Sequence, residues 1–154
     1  AMKTLMTTVR AALALLALTA LGSAMAQMTP VGLWHSIDDK TGQPKGEIRI
    51  FDVGGGVLNG KVERGLDKNA KPDEKCDQCT DDRKGKPKVG LEIIRGAKKA
   101  DGADVWEGGT IVDPDNGTVY KLKMTPVDGG KKLDVRGFIG FALLGRTQTW
   151  VRVQ

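Results

Sequence analysis

Short runs of alternating apolar and polar residues recur along most of the chain, separated by glycine-rich turns. In Tyr120-Lys121-Leu122-Lys123-Met124 the apolar side chains fall on one face and the lysines on the other. Leu133, Val135 and Ile139 share a face in the same way, with Asp134 and Arg136 opposed. A period of two with one polar face describes a strand whose sheet is buried on one side and wet on the other. Strands are predicted at roughly 31–37, 46–53, 56–64, 89–97, 103–112, 117–127, 131–140 and 146–153. Gly54-Gly55-Gly56, Asp113-Pro114-Asp115-Asn116-Gly117 and Asp128-Gly129-Gly130 place residues that tolerate positive φ between these runs. Beyond residue 26 the one helical candidate is a short turn near Phe141-Ala142-Leu143-Leu144.

Eight successive strands joined by tight turns point to an all-β fold. The expected architecture is an eight-stranded antiparallel up-and-down barrel with little helix, because closure removes exposed edges. A two-sheet sandwich fits the same pattern and is the alternative. An outer-membrane barrel does not fit. Its outward face would need an apolar band, and Lys121, Lys123, Asp134 and Arg136 occupy the polar face here. The interruption at 65–88 (GLDKNAKPDEKCDQCTDDRKGKPK) is polar and highly charged and reads as a surface loop. Loops of this length tend to be functional or disordered.

The start of the chain breaks the alternation. Lys3 and Arg10 precede an apolar run from Ala11 to Leu21, and Ala24-Met25-Ala26 forms an A-x-A cleavage site. This is the pattern of a secretory signal peptide over 1–26, with Ala1 ahead of Met2 read as an artefact of the gene model. The run is shorter than the about 20 residues of a spanning helix. The expected product is one barrel domain over 27–154, periplasmic or secreted after cleavage near Ala26/Gln27. It would not be an integral membrane protein once processed.

The full chain of 154 residues carries a net charge of +5. The leader holds two of the bases and no acid, so the charge of the remainder is smaller. Bases and acids are interspersed, and no basic stripe is interleaved with aromatics, which argues against nucleic-acid binding. A single histidine, His35, narrows the enzymatic options. It follows Trp34 on the face of Leu33 and Ile37 and reads as a satisfied, partly buried side chain. No G-x-S-x-G nucleophile motif is present. Nothing in the sequence nominates an acid, a base or a nucleophile, and no cofactor is implied.

Several motifs in order carry a family resemblance. They are Gly32-Leu33-Trp34, Cys76-Asp77-Gln78-Cys79, Lys86-Pro87-Lys88-Val89-Gly90-Leu91, Trp106-Glu107-Gly108-Gly109 and Asp113-Pro114. Arg136-Gly137-Phe138-Ile139-Gly140 and Gly145-Arg146-Thr147-Gln148-Thr149-Trp150-Val151-Arg152 complete the series. In this the chain resembles the bacterial envelope family catalogued as domain of unknown function 2147, over essentially all of 27–154. The resemblance implies a lipocalin-like barrel. The G-x-W with a terminal-strand arginine is also similar to the wider calycin group. There the tryptophan closes one barrel end beneath a basic residue. Carried over, this implies a structural lock of Gly32, Trp34 and Arg152. The family implies no established activity.

Cys76 and Cys79 are the only cysteines. In an exported chain a disulfide is the default for a C-x-x-C pair. A redox role would need an activated thiolate, and Asp73, Glu74, Asp77, Asp81 and Asp82 nearby work against one. A structural zinc site wants four ligands, and this pair supplies two, so no metal is expected.

Three functions remain open at this level. The first is binding of a small apolar or amphipathic ligand inside the barrel. Ile48, Ile50, Leu91, Ile93, Tyr120, Leu122, Met124, Leu133, Val135 and Ile139 are the candidate lining. Gly60, Gly109 and Gly137 are small inward residues that could leave space, or mark bends. The second is a packed barrel that meets an envelope protein partner through the charged disulfide loop. The third is thiol–disulfide exchange. The apolar segment Phe138 to Leu144 adds a lid, a membrane-touching tip or a homodimer contact to the candidates.

Overall fold

Period-two alternation resolves into eight strands of six to nine residues. They are β1 (Gly32–Ile37), β2 (Pro44–Asp52), β3 (Leu58–Gly65), β4 (Glu92–Lys99), β5 (Trp106–Val112), β6 (Val119–Val127), β7 (Lys132–Phe138) and β8 (Gly145–Arg152). The structure is a computed structural model that describes residues 28–154. The leader expected at 1–26 lies outside the described residues. Each strand pairs antiparallel with the next, and β8 returns to β1 to close the barrel. Closure sets the two-sheet sandwich aside. Single 3-10 turns stand at Asp128–Gly130 and Ala142–Leu144. The second is where the sequence places its helical candidate. The first is a turn that the glycine pattern marks only as a hairpin.

The interior is filled from one end. Trp34, Ile50, Leu122, Met124 and Leu133 are at most 1% exposed and occupy the half where β1 begins and β8 ends. Burying each such side chain contributes about 1.5–3 kcal/mol. Gly60 leaves no empty space there, since a methyl group on it would lie 3.2 Å from Ile94. Gly137 lies toward the other end, where a methyl group would sit 3.3 Å from Tyr120. Gly109 belongs instead to a bulge, where the β5–β6 register shifts between Glu107 and Thr110. A Cβ there would run into the β4 backbone at Gly96 and Ala97.

Trp34 and Arg152 shut this packed end. The guanidinium carbon lies 4.2 Å from the centroid of the Trp34 ring. The Trp34 indole N–H donates to the Pro30 carbonyl at 2.7 Å. Arg152 donates from Nε to Gly130 O at 2.6 Å, from Nη1 to Val31 O at 2.9 Å, and from Nη2 to Thr29 O. One side chain therefore ties β8, the β6–β7 turn and the segment before β1. Gly32 sits against it with φ +144°, and a Cβ there would strike both Gln154 and Arg152. The three residues that the resemblance groups together thus lie in mutual contact.

The connection 66–91 between β3 and β4 has a small core of its own. Cys76 and Cys79 are disulfide-bonded, with Cα atoms 5.4 Å apart, and both are fully buried. Lys75 and Pro87 form a β-bridge, and the Cys76 N–H donates to Lys86 O at 2.8 Å. Arg83 is 3% exposed, although the sequence reads as a solvated charge run. Its guanidinium grips the Asp81 carboxylate at 2.6 Å and donates to the Glu92 carbonyl at 2.9 Å. That guanidinium and the Arg83 N–H hold the Asp81 carboxyl far below the usual carboxylate range. Arg95 on β4 grips Asp82 through two hydrogen bonds of 2.8 and 2.9 Å. Gly117, in the β5–β6 turn, has no room for a Cβ because the Gln78 backbone lies on it. The loop is therefore clamped to the barrel wall.

Replacing Arg152 by Ala should destabilise the fold by about 3 kcal/mol in urea unfolding. It removes charge-assisted hydrogen bonds and a cation–π contact together. Arg152→Lys should fall between the two, because an ammonium keeps the charge but not the planar fork. Both sulfurs are shielded from an attacking thiolate. Dithiothreitol should therefore leave the bridge intact in the native protein and reduce it only with denaturant, as read by mass after alkylation. The double variant Cys76→Ser/Cys79→Ser should lose less than about 3 kcal/mol, because the closed loop is very short.

Candidate functional site: a cavity at the barrel mouth

Toward the other end the inward side chains become small. Ser36 lies next to the end of β1 on the inside, Gly46 is the third residue of β2, Gly65 ends β3 and Gly145 begins β8. These positions line an open cavity of about 750 Å³. Its deeper wall is apolar and includes Ile48, Val62, Ile93, Ile111, Val135 and Trp150. An eight-stranded barrel is just wide enough to be filled by side chains or to hold one small ligand. Here bulky residues fill one half and small residues leave the other open.

The ten residues proposed from alternation divide along this boundary. Ile48, Ile93, Tyr120, Val135 and Ile139 line the cavity. Ile50, Leu91, Leu122, Met124 and Leu133 are buried away from it. Parity places a residue on the inner face but not at a depth along the barrel axis. Ile139 is displaced as well: β7 ends at Phe138, and Ile139 stands 62% exposed at the rim. Gly137 lines the cavity beside Tyr120.

A charged rim surrounds the opening, and the sequence reading does not single it out. Lys45 at the start of β2 pairs with Asp115 of the β5–β6 turn at 2.8 Å. Asp115 also pairs with Lys88 at 2.8 Å, and Lys88 pairs with Glu74 at 3.0 Å. β2 and β5 stand three strands apart around the barrel, so the Lys45–Asp115–Lys88–Glu74 chain straps the mouth. Partial burial pushes the Asp115 carboxyl up, but the Lys45 and Lys88 ammoniums outweigh it and hold the group below its ordinary value. Lys88 is lowered by burial and raised more strongly by Asp115 and Glu74, so it stays charged. On the far side Arg146 pairs with Asp39 at 3.3 Å. Gln148 donates to Asp39 at 3.4 Å and accepts from the Trp150 indole at 3.3 Å. Arg146 and Gln148 share the inward parity of Trp150 on β8, and that parity was the available signal. The strap had no local signal, because its members come from three separate segments.

His35 lies on the outer face, with its Nε2 3.0 Å from the Glu47 carboxylate. Glu47 also accepts from Arg64, and the two partners lower its carboxyl from the ordinary value. His35 is thus satisfied and remote from the cavity. Among the described residues no group of three or more histidine, cysteine or carboxylate side chains is placed to hold a metal. No helix in them is long and apolar enough to cross a membrane.

The fold has a solved counterpart in protein HP1028 from the human pathogen Helicobacter pylori, described as belonging to the lipocalin family. The two share 15% sequence identity over 80% of this chain and 82% of that one, with a TM-score of 0.67. At that identity the likeness concerns the fold. No curated protein matches the chain. The model of a bacterial family, described as uncharacterized protein conserved in bacteria, matches residues 32–152. This chain belongs to that family, domain of unknown function 2147.

Proposed function

We propose that this protein is an exported carrier that holds one small amphipathic molecule in the mouth half of its barrel. The cavity carries the reading. Its volume of about 750 Å³ lies within the about 300–1,000 Å³ usual for small-molecule sites. Its apolar depth suits a hydrocarbon or ring portion. Lys45, Lys88 and Arg146 at the rim suit a polar end that stays near water. The lipocalin description of the structural counterpart agrees with this use of a barrel. A buried disulfide supports the exported reading, because such bridges persist in oxidising compartments. The open mouth favours a carrier over a packed barrel acting through its loop, and the shielded sulfurs disfavour redox exchange.

Protein exported to a bacterial periplasm and purified without detergent should show extra mass under native conditions that is lost on denaturation. Its denatured mass should correspond to a chain beginning at Gln27. A bare native mass, together with no uptake of a fluorescent fatty acid, would overturn the carrier reading. Val135→Trp should fill the cavity and abolish uptake of that probe, while Leu143→Ser, outside the cavity, should leave uptake unchanged.

The strap generates a pH dependence. A carboxylate held below its ordinary value contributes stability above that value and loses it as pH falls through the folded one. Asp115 and Glu74 are both of this kind. Probe retention should therefore be constant near neutral pH and fall as the solution is acidified below the ordinary aspartate value of 3.8. Asp115→Asn should speed probe release at neutral pH and change unfolding stability by less than about 1 kcal/mol, because exposed ion pairs contribute little.

A further inference from the structure

The connection between β7 and β8 exposes four large apolar side chains together. Ile139 is 62% exposed, Phe141 78%, Leu143 91% and Leu144 75%. They follow one another within six residues at the open end of the barrel. Scattered exposed apolar residues are ordinary, whereas a contiguous set marks a contact surface. Ile139 and Leu144 also line the cavity, so the tip forms part of its lip. The tip is not a loose loop. Arg136 donates from Nε to Ala142 O at 2.7 Å and from Nη1 to Thr147 Oγ1 at 2.9 Å. The Leu144 N–H closes the turn on Phe141 O at 3.0 Å.

The surface behind the tip is basic. From Val135 to Gln154 the chain contains no acidic residue, and β6 contains none either. Lys121 is paired in register with Phe138 and Lys123 with Arg136, which sets three cations on the outer wall below the apolar tip. Glu107 on β5 pairs with Lys123 at 3.3 Å, and among the described residues Lys121 makes no ion pair. A second copy of the chain docking by a two-fold contact would bring this collar against itself. An anionic lipid surface matches both features, with apolar side chains entering the boundary and cations meeting headgroups.

We propose that the 139–144 tip docks the barrel mouth onto a bilayer containing anionic lipid. The cavity lip then meets the membrane, and an amphipathic molecule can cross between them without passing through water. Docking itself does not depend on what the cavity holds.

The test is sedimentation of the processed protein with phosphatidylcholine vesicles, with and without phosphatidylglycerol. Wild-type protein should partition onto the phosphatidylglycerol vesicles, and added salt should weaken this. Phe141→Ser/Leu143→Ser should reduce partition by about tenfold or more, because it removes two side chains that would be buried. Lys121→Gln should reduce it by about fivefold on anionic vesicles and leave phosphatidylcholine unchanged. Thermal unfolding should match wild type in both variants, since none of these side chains is in the core. Val135→Trp separates the two readings: it should lose the fatty-acid probe and still bind vesicles. Wild-type protein remaining in the supernatant would overturn the proposal, as would a Phe141/Leu143 variant that sediments like wild type. A dimer that depends on the tip, found by analytical ultracentrifugation without vesicle binding, would assign the surface to a second copy instead.

Discussion

Closure of the sheet rests on a thin seam. β7 and β8 pair along seven residues, whereas β8 meets β1 in register at Trp34 with Arg152 and His35 with Val151. Just past β8, Leu33 extends the seam by exchanging backbone hydrogen bonds with Val153 and Gln154. Arg152 reinforces this short seam with one planar group, which stacks on Trp34 and donates to three carbonyls from two other segments. Gly32 is the complement, because any side chain there would occupy the space of the guanidinium.

A shut floor lets the other end remain open. Bulky side chains packed beneath Trp150 support the sheet, so the mouth half need not be filled to be stable. The rim is held by electrostatics and by the clamped 66–91 connection. Arg83, Asp81 and the disulfide anchor that connection, and Glu74 and Lys88 are thereby carried to the mouth. Asp115 joins them to Lys45 across the opening. Packing thus holds one end of the barrel while charge spans the other. The charged end is the more responsive to pH and salt.

The two surfaces proposed for function meet at the lip. Ile139 and Leu144 face the cavity from a tip whose other members, Phe141 and Leu143, point to solvent. A carrier whose cavity and docking surface share residues can load without exposing its passenger to water.

Alternation in Tyr120–Met124 and in Leu133–Val135, together with the glycine turns, was enough to specify eight antiparallel strands and their inner faces. The C-x-x-C spacing was legible as a local signal, whereas the Trp34/Arg152 pair came only from the family resemblance. Three features were decided only by tertiary structure. Depth along the barrel axis separated Ile48 and Val135 in the cavity from Leu122 and Met124 in the floor, since a period of two encodes side and not height. Burial of Arg83 inverted the reading of the 65–88 charge run, because a cation can leave water where a carboxylate and a carbonyl are both waiting. The strap unites residues 45, 74, 88 and 115, whose meeting depends on barrel closure and on the docking of a long connection. Local pattern determines which way a side chain faces, and only the closed sheet determines what it faces.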